Sequence, residues 1–319
     1  MNWITGTTDY FAADTFKGME MAYPELWQTF SIEKNSASLI RRYPSFDKVA
    51  IIISGGAGVG PLFPGFVSEG LADAVVVGAP YSAPSAYTIF ETGMHLGKNR
   101  GVCLLYNSFA GDFLNNDMAH ELLELNGISV ESVAVTDDIG TAIGEPKENR
   151  NGRIGIAWLM KVASFYAESG MDLDVVASKL RDANKRLASL SVYIDVIQNK
   201  VIYGKGISGE PGFASSINID MKQVATEALG YILDDLKPGP GEKLLLLINR
   251  LGCMSYSDSF IFTKYALEEL SKQHTVLKTR VAGFFNILDV YGFDISILCV
   301  DEKLEECFTN NSYTESFIL

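Results

Sequence analysis

Short apolar runs alternate with amphipathic segments through the first half of the chain. Four of these runs end in turn-forming or polar residues, as buried strands do: Val49–Gly56, Ala72–Gly78, Gly101–Asn107 and Val130–Asp138. The segments Ser85–Leu96 and Asp117–Leu125 lie between them and have the pattern of helices. Strict alternation of strand and helix is typical of a parallel sheet covered on both faces. The pattern therefore predicts an α/β domain.

A second cycle of the same kind begins near Asn199, after two predicted helices (Ile154–Gly170 and Leu173–Leu190) and a strand (Leu190–Ile197). Its predicted elements are, in order, strand Val201–Gly209, helix Asp220–Leu236, strand Leu244–Gly252, helix Phe260–Lys272 and strands Thr279–Phe285 and Asp294–Asp301. We predict an α/β fold of two domains with mostly parallel sheets, residues 1–190 and 191–319.

The charge balance excludes some partners. The chain has 26 basic and 39 acidic residues, which give a formal net charge of −13. Nucleic-acid phosphates and anionic lipids bind proteins through fields of Lys and Arg, so we expect neither direct nucleic-acid binding nor a membrane partner. No apolar run approaches the roughly 20 residues that span a bilayer, and no secretory leader pattern is visible. We expect a cytoplasmic protein.

The cysteines give no sign of a metal site or a disulfide. Cys103 and Cys299 lie in apolar runs, and none of the four cysteines forms a CxxC pair. A reduced cysteine in such a run packs as a small hydrophobe, which fits a reducing compartment. We therefore predict no metal.

Candidate chemistry lies in the loops that follow strands, because ligands of parallel sheets bind beyond the carboxyl ends of the strands. Four loops qualify: Ser54–Pro61, Ala79–Pro84, Asn107–Asp112 and Gly206–Gly212. The glycines of the first loop, SGGAGVGP, have neither the dinucleotide spacing nor the P-loop spacing. No cofactor is predicted. The glycines are better explained by a sharp turn or by close approach of a small ligand.

The acidic residues and histidines of these segments have simpler explanations than catalysis. Asp112 is either a general base or the N-cap of the next helix, and spacing favours the cap. The pair Asp137 and Asp138 is interpreted as a solvated turn. The three histidines follow no strand in a candidate loop and are predicted on the surface: His95, His120 and His274.

Several motifs together resemble one family along nearly the whole chain, from about residue 9 to residue 305. SGGAGVGPLFPGFVSEGL resembles SGGGSGHEPxHxGFVGxGM, LLYNSFAGDFLN resembles LIVKNYTGDRLNF, and GKGISGEPGF resembles GxGIHGEPGI. LKPGPGEKLLLLINRLGCMS resembles LKPGDRVALLVNNLGATP. The chain is thus similar to the substrate-binding subunit of dihydroxyacetone kinases, a family that includes transcription-coactivator paralogues.

The resemblance implies a homodimer and a ligand site for a small carbonyl compound or polyol. In that family the histidine of GIHGEPG binds the ketone carbon of dihydroxyacetone as a hemiaminal, and the histidine of SGHEP hydrogen-bonds the substrate. The aspartate of TGD acts as acid and base. By resemblance, the site residues expected here are Gly55, Gly56, Gly58, Val59, Ser82, Ser108, Gly111, Asp112, Ser208 and Gly209.

Both of those histidines are missing here. Ser208 aligns with the hemiaminal histidine, and Val59 and Gly60 align with the histidine and glutamate of SGHEP, whereas Asp112 remains as the residual acid/base candidate. An imidazole near its pKa of about 6.5 has a free lone pair for the ketone, but a serine hydroxyl needs a neighbouring base. Lys205 is the nearest amine in sequence, and its odd spacing from Ser208 points it to the other face of a strand.

Three functions therefore compete. The first is a non-catalytic ligand-sensing or regulatory paralogue that partners a transcription regulator. The second is a kinase subunit that binds dihydroxyacetone noncovalently and presents it to an ATP-binding or phospho-donor subunit. The third is a binding protein for a different, bulkier polar ligand. All three predict that the four loops converge on one cleft.

Overall fold

A computed structural model describes residues 9–59, 63–217, 220–287 and 290–309. The chain divides into two compact units. Unit 1 takes in Met1–Val135, Leu159–Asp182 and Cys307–Leu319, and unit 2 takes in Thr136–Trp158 and Ala183–Glu306. No described helix is long and apolar enough to cross a membrane.

Unit 1 is built on a mixed sheet. Its strands are β1 (Trp27–Glu33), β2 (Ser36–Arg41), β3 (Ala50–Ala57), β4 (Ala74–Pro80), β5 (Val102–Asn107) and β6 (Val130–Val135), in the spatial order β1-β2-β4-β3-β5-β6. Strand β3 runs parallel to β4 and β5, and β5 runs parallel to β6, whereas β2 is antiparallel to both β1 and β4. The parallel centre places the ends of β3, β4 and β5 at one edge of the sheet.

Helices α1 (Phe11–Ala22), α2 (Ala86–Leu96) and α3 (Ala110–Leu125) belong to unit 1. One of its apolar clusters joins α2 and α3 to the buried faces of the central strands, with Ile52, Val76 and Leu104 among its fully buried members. Helices α4 (Ile156–Glu168) and α5 (Leu173–Lys185) each include a division between the units. Cys103 in β5 is a buried free thiol, as predicted, and burial raises its pKa to about 12.

Unit 2 has a different sheet. Its strands are β7 (Leu187–Asp195), β8 (Lys200–Lys205), β9 (Pro211–Ile217), β10 (Lys243–Gly252), β11 (Thr275–Ala282) and β12 (Tyr291–Val300), in the order β11-β10-β12-β7-β8-β9. The described helices are α6 (Met221–Leu236), α7 (Tyr256–Leu270) and α8 (Glu302–Thr309), of which α8 includes a division between the units.

The two α/β units are as predicted, but the sheet of unit 2 is not mostly parallel. Of the pairings between its described strands, β10 with β11 is parallel, and the other four are antiparallel. The turns that join β7 to β8 and β8 to β9 are too short for the crossover that parallel neighbours require. An apolar run does not reveal the direction of its strand, so periodicity could not anticipate this.

The segment Thr136–Trp158 lies in unit 2, so the units are not the two continuous domains expected from a single boundary at residue 190. Hydrogen bonds explain its placement. The carboxylate of Asp137 accepts from the Arg153 backbone N–H at 2.6 Å, from the Gly155 N–H at 2.8 Å and from the Ser189 hydroxyl. These bonds tie the segment to the start of β7.

The interpretation of Asp137 and Asp138 as a solvated turn is wrong, because both side chains are buried. The buried guanidinium of Arg153 pairs with Asp138 at 2.9 Å and with Asp294 of β12 at 2.6 Å. Buried carboxylates are stable only when they are paired or hydrogen-bonded. The Arg153 guanidinium provides an ion pair and a hydrogen bond to both Asp138 and Asp294.

Candidate functional site

The glycine-rich end of β3 lies against two other segments of unit 1. A Cβ at Gly56 would come within 2.9 Å of the Ser82 backbone nitrogen, and a Cβ at Gly55 would overlap the ring of Phe63. Both positions therefore require glycine because of close approach. Gly58 follows with a φ of 87°, and Val59 is buried. Gly60 and Pro61 lie outside the described residues.

The loop after β4 is tied to the loop after β3. The Tyr81 N–H donates to the Ala57 carbonyl at 2.9 Å, and the Ser82 N–H donates to the Ala79 carbonyl at 3.0 Å. Tyr81 has a left-handed φ of 57°, a conformation that non-glycine residues adopt rarely. The tight turn sets Ser82 beside Gly56.

The loop after β5 joins the same group. A Cβ at Gly111 would lie 3.2 Å from the Ala83 Cβ, and the Asn115 amide donates to the Pro84 carbonyl at 2.7 Å. Ser108 is half-buried, with its N–H bonded to the Val135 carbonyl at 3.0 Å. Unit 1 thus brings together three of the four predicted loops.

Asp112 is not the N-cap that spacing favoured. Helix α3 begins at Ala110 and is preceded by Phe109, whose side chain makes no cap, so Asp112 is the third residue of the first turn. Its side chain is buried, and its Oδ1 has no hydrogen-bond partner among the described residues. Burial raises the pKa of this carboxyl to about 7. A buried carboxyl whose pKa lies near neutrality suits proton transfer or hydroxyl binding.

Asn107 begins the third candidate loop but was not among the expected site residues. It is the last residue of β5, it is buried, and its Oδ1 likewise has no partner among the described residues. The nearby Asn116 is satisfied, since it donates to the Asp112 carbonyl at 2.8 Å and accepts from the Ser54 hydroxyl at 3.0 Å. A polar residue that ends an otherwise apolar strand was the signal in the sequence.

The fourth loop lies in unit 2, between β8 and β9. Ser208 and Gly209 are exposed at its tip, and Gly209 has a φ of 105° that favours glycine. The Ser208 N–H donates to the Glu210 carboxylate at 3.0 Å. The ammonium of Lys205 lies 5.4 Å from the centre of the Tyr193 ring, a cation–π contact.

The histidines are half-buried rather than fully on the surface, and they lie outside these loops. His95 stacks on Phe30 with ring centres 4.5 Å apart, and burial lowers its pKa. His120 bonds the Ser132 hydroxyl at 2.8 Å. Contacts with neighbouring strands of unit 1 therefore explain the placement of His95 and His120.

Comparisons with known proteins agree with this architecture. Residues 17–316 match the Dak1 domain family. The dihydroxyacetone-binding subunit DhaK of the PTS-dependent dihydroxyacetone kinase 2 of Listeria innocua is 32% identical over 273 residues, which cover 81% of this chain and 82% of that protein. The corresponding subunit from Lactococcus lactis is 26% identical over 310 residues, covering 92% and 91%.

A solved structure shares the fold. The dihydroxyacetone kinase operon co-activator Dha-DhaQ superposes with a TM-score of 0.84 at 20% identity, covering 92% of this chain and 94% of that one. At this identity the likeness concerns the fold alone. Because the family model matches most of its length and the sequence relatives agree, the chain belongs to the Dak1 family and is a homologue of the dihydroxyacetone-binding subunits of dihydroxyacetone kinases.

Proposed function

We propose that this protein is a non-catalytic, ligand-sensing or regulatory member of its family, which binds a small carbonyl compound or polyol without a covalent bond. The observation that carries the proposal is Ser208. By its resemblance to GIHGEPG, the motif GISGEPG aligns Ser208 with the hemiaminal histidine, and Ser208 lies at the exposed tip of the β8–β9 loop. A protonated hydroxyl there cannot add to a ketone without a base to take its proton.

The loop's other candidate nucleophile does not compensate. The Lys205 ammonium is engaged in a cation–π contact with the Tyr193 ring, and no described hydrogen bond links it to Ser208. Val59, at the position of the substrate-binding histidine, has no side-chain donor. Together these residues support a site that has lost covalent capture.

The polar atoms that remain support ligand binding. Asp112 and Asn107 each present a buried acceptor oxygen without a described partner. An unsatisfied buried acceptor costs about 1–3 kcal/mol, and a ligand hydroxyl that donates to it recovers this energy. Two such acceptors close to the end of β5 favour a ligand with hydroxyl groups over an apolar one.

A regulatory protein must also bind the molecule that it regulates. We propose a homodimer that binds a second protein, a transcription regulator, with an affinity that depends on the bound ligand. A ligand influences such binding only if its affinity differs between the partner-free and partner-bound states.

An alternative is a kinase subunit that binds dihydroxyacetone noncovalently. The pKa of Asp112, near 7, suits a general base for the hydroxyl to be phosphorylated, and this observation favours the alternative. A separate ATP-binding or phospho-donor subunit supplies the phosphate in this reading.

Calorimetric titration with dihydroxyacetone and with glycerol tests the proposal, run beside a phosphorylation assay that includes a purified ATP-binding or phospho-donor subunit. We expect saturable binding and no phosphorylated product. Asp112→Asn is expected to weaken binding about tenfold, because it removes a charge-assisted hydrogen bond. Asp117→Asn, on the exposed side of the same helix, is the matched control. Turnover of dihydroxyacetone by the reconstituted pair would establish the alternative instead.

A further inference from the structure

The loop that carries Ser208 is closed by its own backbone. The Gly206 N–H donates to the Glu210 carbonyl at 3.1 Å, and Lys205 pairs with Pro211 where β8 meets β9. These bonds fix the base of the loop. They leave the tip, Ser208 and Gly209, without a backbone–backbone bond among those described.

The Glu210 side chain reaches the tip instead. One carboxylate oxygen, Oε2, accepts from the Ser208 N–H at 3.0 Å. The side chain folds back across Gly206, where any Cβ would overlap it. A side chain of the loop therefore provides the hydrogen bond that its backbone does not.

The other oxygen of the same carboxylate is held from outside the loop. Glu210 Oε1 accepts from the Asn151 amide at 3.1 Å. Asn151 is itself fixed through its backbone, since its N–H donates to the Thr141 hydroxyl at 3.0 Å and its carbonyl accepts from the Asp138 N–H at 3.1 Å. A continuous chain of hydrogen bonds thus runs from the buried Asp138 region to Ser208.

From this chain we infer that Asn151 and Glu210 are positioning residues, which set the place of the Ser208 tip for the ligand. The inference rests on the proposed function for its ligand part and on geometry alone for its loop part. The carboxylate must act as a double acceptor, because both of its partners are donors. A Glu210→Gln amide can accept one bond only by presenting its NH₂ group to the other donor.

This chemistry allows a test by exchange of partners. In the Asn151→Asp/Glu210→Gln double variant, the glutamine NH₂ donates to the new aspartate, while its oxygen still accepts from the Ser208 N–H. The Asn151→Asp variant sets two carboxylates against each other, and the double variant removes this mismatch. Glu210→Gln alone is tolerated by rotation of the Asn151 amide, whose oxygen then accepts from the glutamine. Glu145→Gln is the matched control, because Glu145 accepts from Asn149 at 2.9 Å in the same segment without contacting the loop.

Two readouts are needed. The first is the amide proton of Ser208 by NMR, both its exchange rate and its chemical shift. The second is the calorimetric affinity for dihydroxyacetone. We expect Asn151→Asp to speed exchange about fivefold, as loss of one hydrogen bond of about 1 kcal/mol implies, and to weaken dihydroxyacetone binding threefold or more. The double variant is expected to return both values to within about twofold of wild type.

The outcomes separate the loop from the ligand. If Asn151→Asp leaves the Ser208 amide unchanged, or if the double variant does not restore it, Glu210 and Asn151 do not position the tip. If the amide responds and is rescued but dihydroxyacetone affinity stays constant, the loop has no role in ligand binding. If wild type binds no dihydroxyacetone at all, the proposed function fails, and the amide readout still decides the loop part.

Discussion

At the scale of single residues, the Asp112 carboxyl is the candidate acid or base of unit 1. It is buried in the first turn of α3, where the helix dipole favours its ionised form, yet burial dominates and raises its pKa to about 7. The unfolded chain ionises this group near its ordinary pKa of about 4. Between these two values the folded state holds a proton that the unfolded state has lost, so stability falls as pH rises.

Asp112→Asn removes this loss. We expect the variant to gain on wild type as pH rises from about 5 to about 8, by up to about 3 kcal/mol of unfolding free energy, because about two units of the pKa shift lie within this range. Urea denaturation at both pH values measures the difference. Asp117→Asn, exposed on α3, is the control and is expected to show no such trend. A constant difference between Asp112→Asn and wild type across this range would contradict the raised pKa.

At the scale of elements, the buried network around Arg153 holds the segment Thr136–Trp158 in unit 2. Arg153 joins Asp138 to Asp294, and Asn249 donates to the same Asp294 at 3.2 Å. Burial raises the pKa of Asp138 to about 6 despite the guanidinium, and it raises that of Asp294. The network thus depends on the Arg153 guanidinium, which lies between two carboxylates whose ionised forms are disfavoured by burial.

Arg153→Met should therefore be strongly destabilising. Removing one partner of a buried ion pair costs about 3–5 kcal/mol, because it leaves uncompensated charge. The loss is expected to shrink when pH is lowered from about 8 to about 5, since protonation neutralises the stranded carboxyls. Arg100→Met, which breaks the exposed pair with Asp172, is the control and should cost about 1 kcal/mol or less. Equal losses for the two variants in urea denaturation would contradict this account.

The sequence revealed elements with a strong local signal and missed those that depend on distant partners. The strands β3 to β6 were predicted, because each is a compact apolar run between turns. Strand β7 was predicted, but its first residues were assigned to the preceding helix, since every residue from Leu187 to Ile194 is buried and neither period shows. Asp138 and Arg153 are 15 residues apart, and Asp294 is 141 residues beyond Arg153, so no local pattern could show that they pair.

The sequence predicted the loops that form the candidate site. It did not predict the pKa values or the unsatisfied hydrogen-bonding groups within them. The motifs identified Asp112 and Ser208, but burial decides that Asp112 has a pKa near 7 and that Asn107 lacks a partner. The Glu210 bonds to Ser208 and Asn151 also appear only in three dimensions. Desolvation and hydrogen-bond satisfaction are properties of the packed chain, which spacing does not encode.

At the scale of the whole molecule, the net charge of −13 favours a basic protein partner over nucleic acid. If the protein is a sensor, ligand and partner must be thermodynamically coupled. We expect dihydroxyacetone to change the affinity for that partner at least about fivefold, the lower end of typical coupling energies. Pull-down from native lysate identifies the partner, and titration with and without dihydroxyacetone measures the coupling.

Asp112→Asn should raise the dihydroxyacetone concentration needed for this effect about tenfold, and it should leave partner binding in the absence of ligand unchanged. Recovery of only an ATP-binding kinase subunit, with phosphorylation of dihydroxyacetone by the pair, would contradict the regulatory account.

The most direct test of the central claim, binding without covalent capture, is mass spectrometry of one sample under two conditions. The protein is incubated with dihydroxyacetone, and its mass is measured first in native and then in denaturing solution. We predict a ligand-bound species in the native spectrum that disappears completely on denaturation, because Ser208 offers no activated nucleophile. A dihydroxyacetone adduct that survives denaturation and maps to Ser208 or Lys205 would contradict the account.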